Sequence, residues 1–296
     1  MARETGLRRG EGINLGQLGF AYTIMGQFEQ AMQFYKEALA IACDVGDRRE
    51  EGLQLGYLGQ AYHALGQSNR ATKYCQKALT IARETKNLRQ EGIWLDSLGL
   101  IYYSQGEFKK AIKCHEETLS IARKISNQLG ESHSLIGLSK GILAQGNLLQ
   151  ARQNCQKACD LNMPATKYRA TLILGTILLY QHDQAARETF LDAVALCQAI
   201  LDETTHLYQP KYVLSAAVVG DAVCNSDWTE KTKRSGLLSP ALTEYQRALE
   251  ITAAPGVVQD AIRDLELIRA AGVEGLEPIF DLLEKALAKN DKQQPD

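Results

Sequence analysis

Residues 55–66 read Leu-Gly-Tyr-Leu-Gly-Gln-Ala-Tyr-His-Ala-Leu-Gly, and residues 95–106 read Leu-Asp-Ser-Leu-Gly-Leu-Ile-Tyr-Tyr-Ser-Gln-Gly. The second stretch is the first displaced by 40 residues, and the register extends both ways: Gly12/Gly52/Gly92, Leu18-Gly19/Leu58-Gly59/Leu98-Gly99, Tyr22/Tyr62/Tyr102 and Gly26/Gly66/Gly106. Downstream it continues as Ala31/Ala71/Ala111/Ala151, Ala38/Ala78/Thr118/Ala158 and Ile41/Ile81/Ile121/Leu161. Self-similarity at a fixed period marks a stack of identical supersecondary units.

Each unit reads as two helices. Leu15, Leu18 and Tyr22 recur at helical spacing before Gly26, and Ala31, Tyr35, Ala38 and Leu39 after it. No proline precedes residue 164, so nothing in the first half breaks a helix. Asp47-x-x-Glu50 and Asn87-x-x-Gln90 have the form of capping boxes and open the first helix of two units. The spacing predicts helices over about 48–65 and 68–85. The glycine of each Leu-Gly pair, facing Ala31 and Ala38, allows the helices of a hairpin to cross closely.

The pattern Leu-x2-Leu-Gly-x2-Tyr-x3-Gly-x4-Ala-x6-Ala-Leu resembles the tetratricopeptide repeat over residues 9–163, with Leu15, Leu55, Leu95 and Leu135 where that family often has Trp. The 40-residue spacing, against the usual 34, resembles the longer variant of kinesin light chains and spindle-orientation adaptors. The resemblance implies an all-α, right-handed superhelical solenoid. Four regular units cover 1–163, the first residues being the end of a truncated preceding helix. Two degenerate units cover 164–254: one with Leu174-Gly175, a turn at His182-Asp183, then Ala186, Phe190 and Ala193; the other with 212–224 and 240–251 as its helices around an insertion at 225–239. Ser239-Pro240 reads as a cap with proline in the first turn. Ala254-Pro255-Gly256 and Glu277-Pro278 open two capping helices within 255–289, ending near 271 and Lys289, and 290–296 is a polar tail. Twelve repeat helices plus two are expected.

Composition limits the function. The 296 residues carry 33 Lys+Arg against 35 Asp+Glu, without the basic stripe of a nucleic-acid binder. No apolar run approaches the ~20 residues of a spanning helix, and charge in the first nine residues argues against a signal peptide. No membrane association is expected, and the default location is the cytoplasm. Seven cysteines without a Cys-x-x-Cys pair fit reduced thiols, and Cys75 and Cys155, in the register of Tyr35, are expected in the core. No P-loop or Gly-x-Gly-x-x-Gly occurs. His63, His115, His133, His182 and His206 make no metal spacing, and Cys155-x3-Cys159 lacks a ligand pair. No nucleophile-elbow motif is present. Neither an enzyme, a cofactor nor a metal site is expected.

Two charge ladders follow the period, Arg9/Arg49/Arg89 and Glu11/Glu51/Glu91/Glu131. They serve either an acidic partner or the helix starts, with carboxylates on the dipole and arginines pairing to them. The tetratricopeptide resemblance places the ligand on the concave face, lined by first helices. Transferred to this sequence, that face holds Ile13, Gly16, Phe20 and Thr23; Leu53, Gly56, Gln60 and His63; Ile93, Asp96, Leu100 and Tyr103; and His133, Ile136, Lys140 and Leu143. Phe20, Thr23, Gln60, His63, Asp96, Leu100, Tyr103, His133 and Lys140 are the expected partner-binding residues. Their columns vary at every step, as a recognition surface requires, and exposed Phe20, Leu100 and Tyr103 would be costly without a partner. The Lys/Asn clamp of co-chaperones is absent, Gly16 and Phe20 standing in its place. The Asn before Leu-Gly in spindle-orientation adaptors is here Gln17, Tyr57 or Ser97.

Phe190-x2-Ala-x3-Cys197, the 208–212 segment, Tyr245-x2-Ala-Leu-x-Ile, Ala254-Pro-Gly-Val-Val and Gly272-Val-Glu-Gly-Leu-Glu-Pro resemble the C-terminal repeat domain of bacterial STAND signalling ATPases with an NB-ARC core. That resemblance implies a sensor region that restrains an ATPase. The expected function is a protein- or peptide-binding module, with a free-standing scaffold or a peptide-pheromone receptor as alternatives. Residues 1–5, Met-Ala-Arg-Glu-Thr, parallel Ile81-Ala-Arg-Glu-Thr, and further repeats are expected upstream.

Overall fold

A computed structural model describes residues 2–204 and 207–291. Among them it contains fourteen α-helices, one 3-10 turn and no strand. The chain divides into two compact units, Met1–Gly130 and Glu131–Asp296.

The first unit holds α1 (Ala2–Ile24), α2 (Phe28–Val45), α3 (Arg48–Ala64), α4 (Ser68–Glu84), α5 (Leu88–Ser104) and α6 (Phe108–Lys124). They pair as hairpins α1/α2, α3/α4 and α5/α6, and α2 packs on α3 as α4 packs on α5. The small residues make the pairing close. A Cβ at Gly19 would lie 2.6 Å from the Tyr35 ring, one at Gly59 2.5 Å from the Cys75 sulfur, and one at Gly99 2.6 Å from the His115 ring. Tyr35, Cys75 and His115 thus fill one core position, each at most 1% exposed.

The turns are built alike. Within hairpins the left-handed residue is Gly26, Gly66 or Gly106, at φ of 74–77°, a conformation that glycine adopts without the strain of an L side chain. Between hairpins Asp47 and Asn87 each accept the N–H three residues on, from Glu50 and Gln90, at 3.2 Å. The expected return bond of a capping box is absent from both. The N–H groups of Asp47 and Asn87 instead close the preceding helices, donating to Ala42 and Ala82 carbonyls at 2.9 and 2.8 Å. Glu50 accepts from Gln54 and Gln90 donates to the Arg49 carbonyl.

The second unit begins within α7 (Gln128–Ala144) and holds α8 (Leu148–Asp160), α9 (Pro164–Tyr180), α10 (Ala185–Glu203), α11 (Tyr208–Val223), α12 (Lys231–Ile251), α13 (Pro255–Ala270) and α14 (Glu277–Asp291). Cys155 takes the hairpin-core position, 0% exposed, and Phe190 takes it on α10, pressed between glycines so that a Cβ at Gly175 or Gly220 would lie 2.9 or 2.4 Å from its ring. A further core joins Tyr212, Trp228, Leu238, Tyr245, Val258, Leu265 and Leu283.

Two expectations fail here. Pro240 does not open a helix but lies inside α12, and most of 225–239 is the N-terminal part of that helix after a 3-10 turn at Ser226–Thr229. The cause is burial: Leu238, Ala241, Tyr245 and Ala248, at helical spacing across the proline, are all at most 1% exposed. Core packing outweighs the hydrogen bond that the ring removes. Helix α14 also runs past Lys289 to Asp291, into the expected polar tail. Residues 292–296 and His206 lie outside the described residues.

Candidate functional site on the first-helix face

In the first unit the expected residues fall on α1, α3 and α5, and the neighbouring hairpin fixes most of them. Thr23 bonds to the Tyr35 hydroxyl at 2.9 Å and donates to the Gly19 carbonyl. Gln60 donates to the Ser97 hydroxyl at 2.9 Å, and Ser97 donates to the Ile93 carbonyl. The Asp96 carboxylate meets Nδ1 of buried His115 at 3.0 Å. His63 and Leu100 are half-buried.

Phe20 remains open, 48% exposed. It sits at the end of an aromatic chain: Phe20 to Tyr57 at 6.0 Å, Tyr57 stacked on Tyr35 at 5.2 Å, and Tyr57 edge-on to Trp94 at 5.7 Å. Burial pushes the Tyr35 hydroxyl up to about 12, with the Thr23 bond opposing, and burial followed by the Glu50 charge raises Tyr57. Both rings are therefore neutral at physiological pH. Ile13 and Ile93, 37% and 38% exposed, are further apolar residues of the same columns.

Several expected lining residues are not on the surface. Tyr103 is only 6% exposed, folded against Phe108 at 5.5 Å where the hairpin turns. Gly16 and Gly56 are sockets. A Cβ at Gly16 would meet the Gln54 side chain at 2.5 Å, and one at Gly56 would meet the Trp94 ring at 2.3 Å. Sequence reasoning missed Tyr57, Trp94 and Ser97; the signal was a missing side chain at 16 and 56 opposite a large one at 54 and 94.

In the second unit His133 is half-buried, while Ile136 and Leu143 are 1% and 2% exposed. The Lys140 ammonium meets the Asp264 carboxylate of α13 at 2.5 Å, so this expected ligand contact is held by the chain's own carboxylate. Three residues of the charge ladders pair within the scaffold. Glu51 binds Arg48 at 2.8 Å, Glu91 binds Arg83 at 2.9 Å and Arg9 binds Asp47 at 2.7 Å. Cys75 and Cys155 are fully buried, as expected, and burial pushes the Cys75 thiol up to about 12. Among the described residues no three His, Cys, Asp or Glu side chains are placed to hold a metal, and no helix is long and apolar enough to cross a membrane.

Residues 15–45 and 51–124 match the tetratricopeptide repeat family, and this stretch carries such repeats. No curated protein is significantly similar to the chain. Among solved structures, a Rap protein complexed with Competence and Sporulation Factor aligns with 96% of this chain and 77% of its own, at 14% identity and a TM-score of 0.68. The Rap conjugation gene regulator of plasmid pLS20, in complex with the Phr* peptide, aligns with 80% of this chain and 74% of its own, at 14% identity and a TM-score of 0.57. Nearly identical TPR-like repeats of a putative kinesin light chain from Podosopora anserina align with 64% of this chain and 96% of their own, at 18% identity and a TM-score of 0.51. At these identities the likeness establishes the fold: an all-α tetratricopeptide solenoid.

Proposed function

We propose that the chain is a non-catalytic module that binds a peptide or a segment of another protein on the first-helix face of its N-terminal unit. The observation that carries this reading is Phe20, half exposed at the end of a packed aromatic chain, with Ile13 and Ile93 open in the column 13/53/93. An aromatic side chain held by its neighbours loses little entropy on binding, which is the character of a hot spot. Gln60, His63, Asp96 and Leu100 supply polar and apolar contacts beside it; Thr23 and Tyr103 act from beneath, through Tyr35 and Phe108. In the second unit His133 and Lys140 lie on α7, where Asp264 holds the Lys140 ammonium.

Two finer readings build on this one. The resemblance of residues 190–278 to STAND sensor domains supports a regulatory region of a larger cytoplasmic signalling ATPase, with a free-standing scaffold as the alternative. A peptide receptor is supported by the two Rap structures, one a complex with Competence and Sporulation Factor and the other with the Phr* peptide. A phage-displayed random peptide library, panned on the intact chain, tests the common core. Enriched peptides should bind Phe20→Ala or Ile93→Ala at least tenfold more weakly by fluorescence anisotropy, with unchanged circular dichroism. Peptides that bind both variants as they bind the parent would move the site elsewhere.

A further inference from the structure

We propose that the exposed face of α4 and α6 is a docking site for an acidic segment of a partner protein. The repeat register shows where positive charge has been added. One column reads Gln30, Arg70, Lys110 and Gln150, and the column three residues on reads Gln33, Lys73, Lys113 and Gln153. Both columns are exposed in every unit, so the core needs none of these cations. Arginine and lysine thus stand on α4 and α6 where the units before and after carry glutamine. Lys77 extends the row on α4, at a position where α2 has Glu37 and α6 has Glu117.

The cations are held as well as gathered. Arg70 lies over the Tyr62 ring at 5.8 Å, Lys77 over Tyr74 at 6.0 Å and Lys110 over Tyr102 at 5.3 Å. Tyr62 and Tyr74 stack at 5.1 Å, and the Gln76 amide donates to the Tyr102 hydroxyl at 3.5 Å, so Tyr102 links α4 to Lys110 of α6. An open depression of about 370 Å³ lies on α4, lined by Lys73, Tyr74, Gln76, Lys77 and Thr80. Among the described residues Arg70, Lys73, Lys77 and Lys113 form no ion pair, whereas Lys110 pairs with Glu107, and Arg83 of α4 with Glu91 and Glu117. Cations seated on aromatic rings lose less freedom when an anion arrives.

Charge complementarity selects an anionic occupant, and the borders of the patch select a peptide. Exposed Glu37 on α2 and Glu116 on α6 would repel a phosphate backbone that ran on past the cluster. The Tyr62 and Tyr74 rings, stacked on each other and each met by a cation, leave little platform for a base. A short run of aspartates and glutamates spans the cluster without meeting these obstacles. The site is separate from the one proposed around Phe20, which lies on α1.

The test titrates a fluorescein-labelled octaglutamate with the intact chain and reads anisotropy. The probe should bind, and more weakly as salt rises, because the cations are exposed. Lys73→Gln with Lys113→Gln installs the residue that the flanking units carry, which keeps the fold, and should weaken binding at least about tenfold. Lys157→Gln with Lys285→Gln removes as much charge from exposed positions on α8 and α14 and should leave binding as it was. Phe20→Ala should leave it unchanged too, which separates this site from the first-helix face. Absence of binding, an equal loss in the Lys157/Lys285 variant, or a loss in Phe20→Ala overturns the proposal. Tighter binding of a labelled octathymidylate that depends on Lys73 and Lys113 would make a nucleic acid the occupant and overturn it as well.

Discussion

Replacing Gly56 by alanine sets two opposing terms against each other. Alanine in a helix interior is favoured over glycine by about 1 kcal/mol. Against this, the new Cβ would lie 2.3–2.4 Å from three atoms of the Trp94 ring, so the ring must retreat by more than about 1 Å to regain ordinary contact. Trp94 is 0% exposed and holds Tyr57 at its edge, so the retreat disturbs packed neighbours. Overpacking of this kind costs about 1–3 kcal/mol, and for a rigid, buried indole the upper end applies. The net effect is a loss of about 2 kcal/mol, or roughly 4–8 °C in melting temperature. Gly10→Ala is the control, since nothing lies within 4 Å of its Cβ position; it should gain up to about 1 kcal/mol. Thermal and urea unfolding followed by circular dichroism, with Trp94 fluorescence in a Trp228→Phe background, measure both. A Gly56→Ala protein that melts higher than its parent would refute the socket, as would an equal effect in a Trp94→Ala background, where coupling of the two sites should vanish.

Other outcomes follow from the same geometry. Pro240→Ala should stabilise the chain by about 1–3 kcal/mol, because it restores an amide inside α12 at an exposed position; a lower melting temperature would contradict this. Lys140→Ala should destabilise the second unit by about 1–3 kcal/mol and should be partly relieved by Asp264→Asn, as measured by a double-mutant cycle. Stability should fall between pH 10 and 12, because Tyr35 ionises near 10.0 when unfolded but only at about 12 when folded, so the unfolded chain releases its proton first. Tyr35→Phe should flatten that part of the pH profile of unfolding. In native protein at pH 8 a maleimide should label exposed Cys43 while Cys75, Cys155 and Cys197 react only on unfolding, and mass spectrometry of the digests reads the order.

The fold was largely legible because its repeat is written in residues with steric reasons to be there. The helix limits expected at 48–65 and 68–85 are Arg48–Ala64 and Ser68–Glu84. The candidate site was less so. Whether a first-helix residue is open depends on the residue 38 positions away in the next hairpin: Gln54 closes Gly16 and Trp94 closes Gly56, a contact no local period reveals. Tyr103 shares its column with Thr23 and His63 yet is buried, because Phe108 follows its turn. Pro240 misled for a related reason: local chemistry makes it a helix start, and only the distant core around Leu238 and Tyr245 makes it an interior residue.

The connectors between hairpins also bear on how such a chain can change length. Asp47 and Asn87 each finish one helix with the backbone N–H and begin the next with the side chain, so no slack residue separates them. A one-residue insertion there would have to be absorbed as a rotation of about 100° in the following helix, turning Leu58 or Leu98 out of its contact. At the Asp47 and Asn87 connectors insertions should therefore be tolerated best as whole periods of 40, through duplication of an entire hairpin, and the near identity of columns in the first three units is the record such copying would leave.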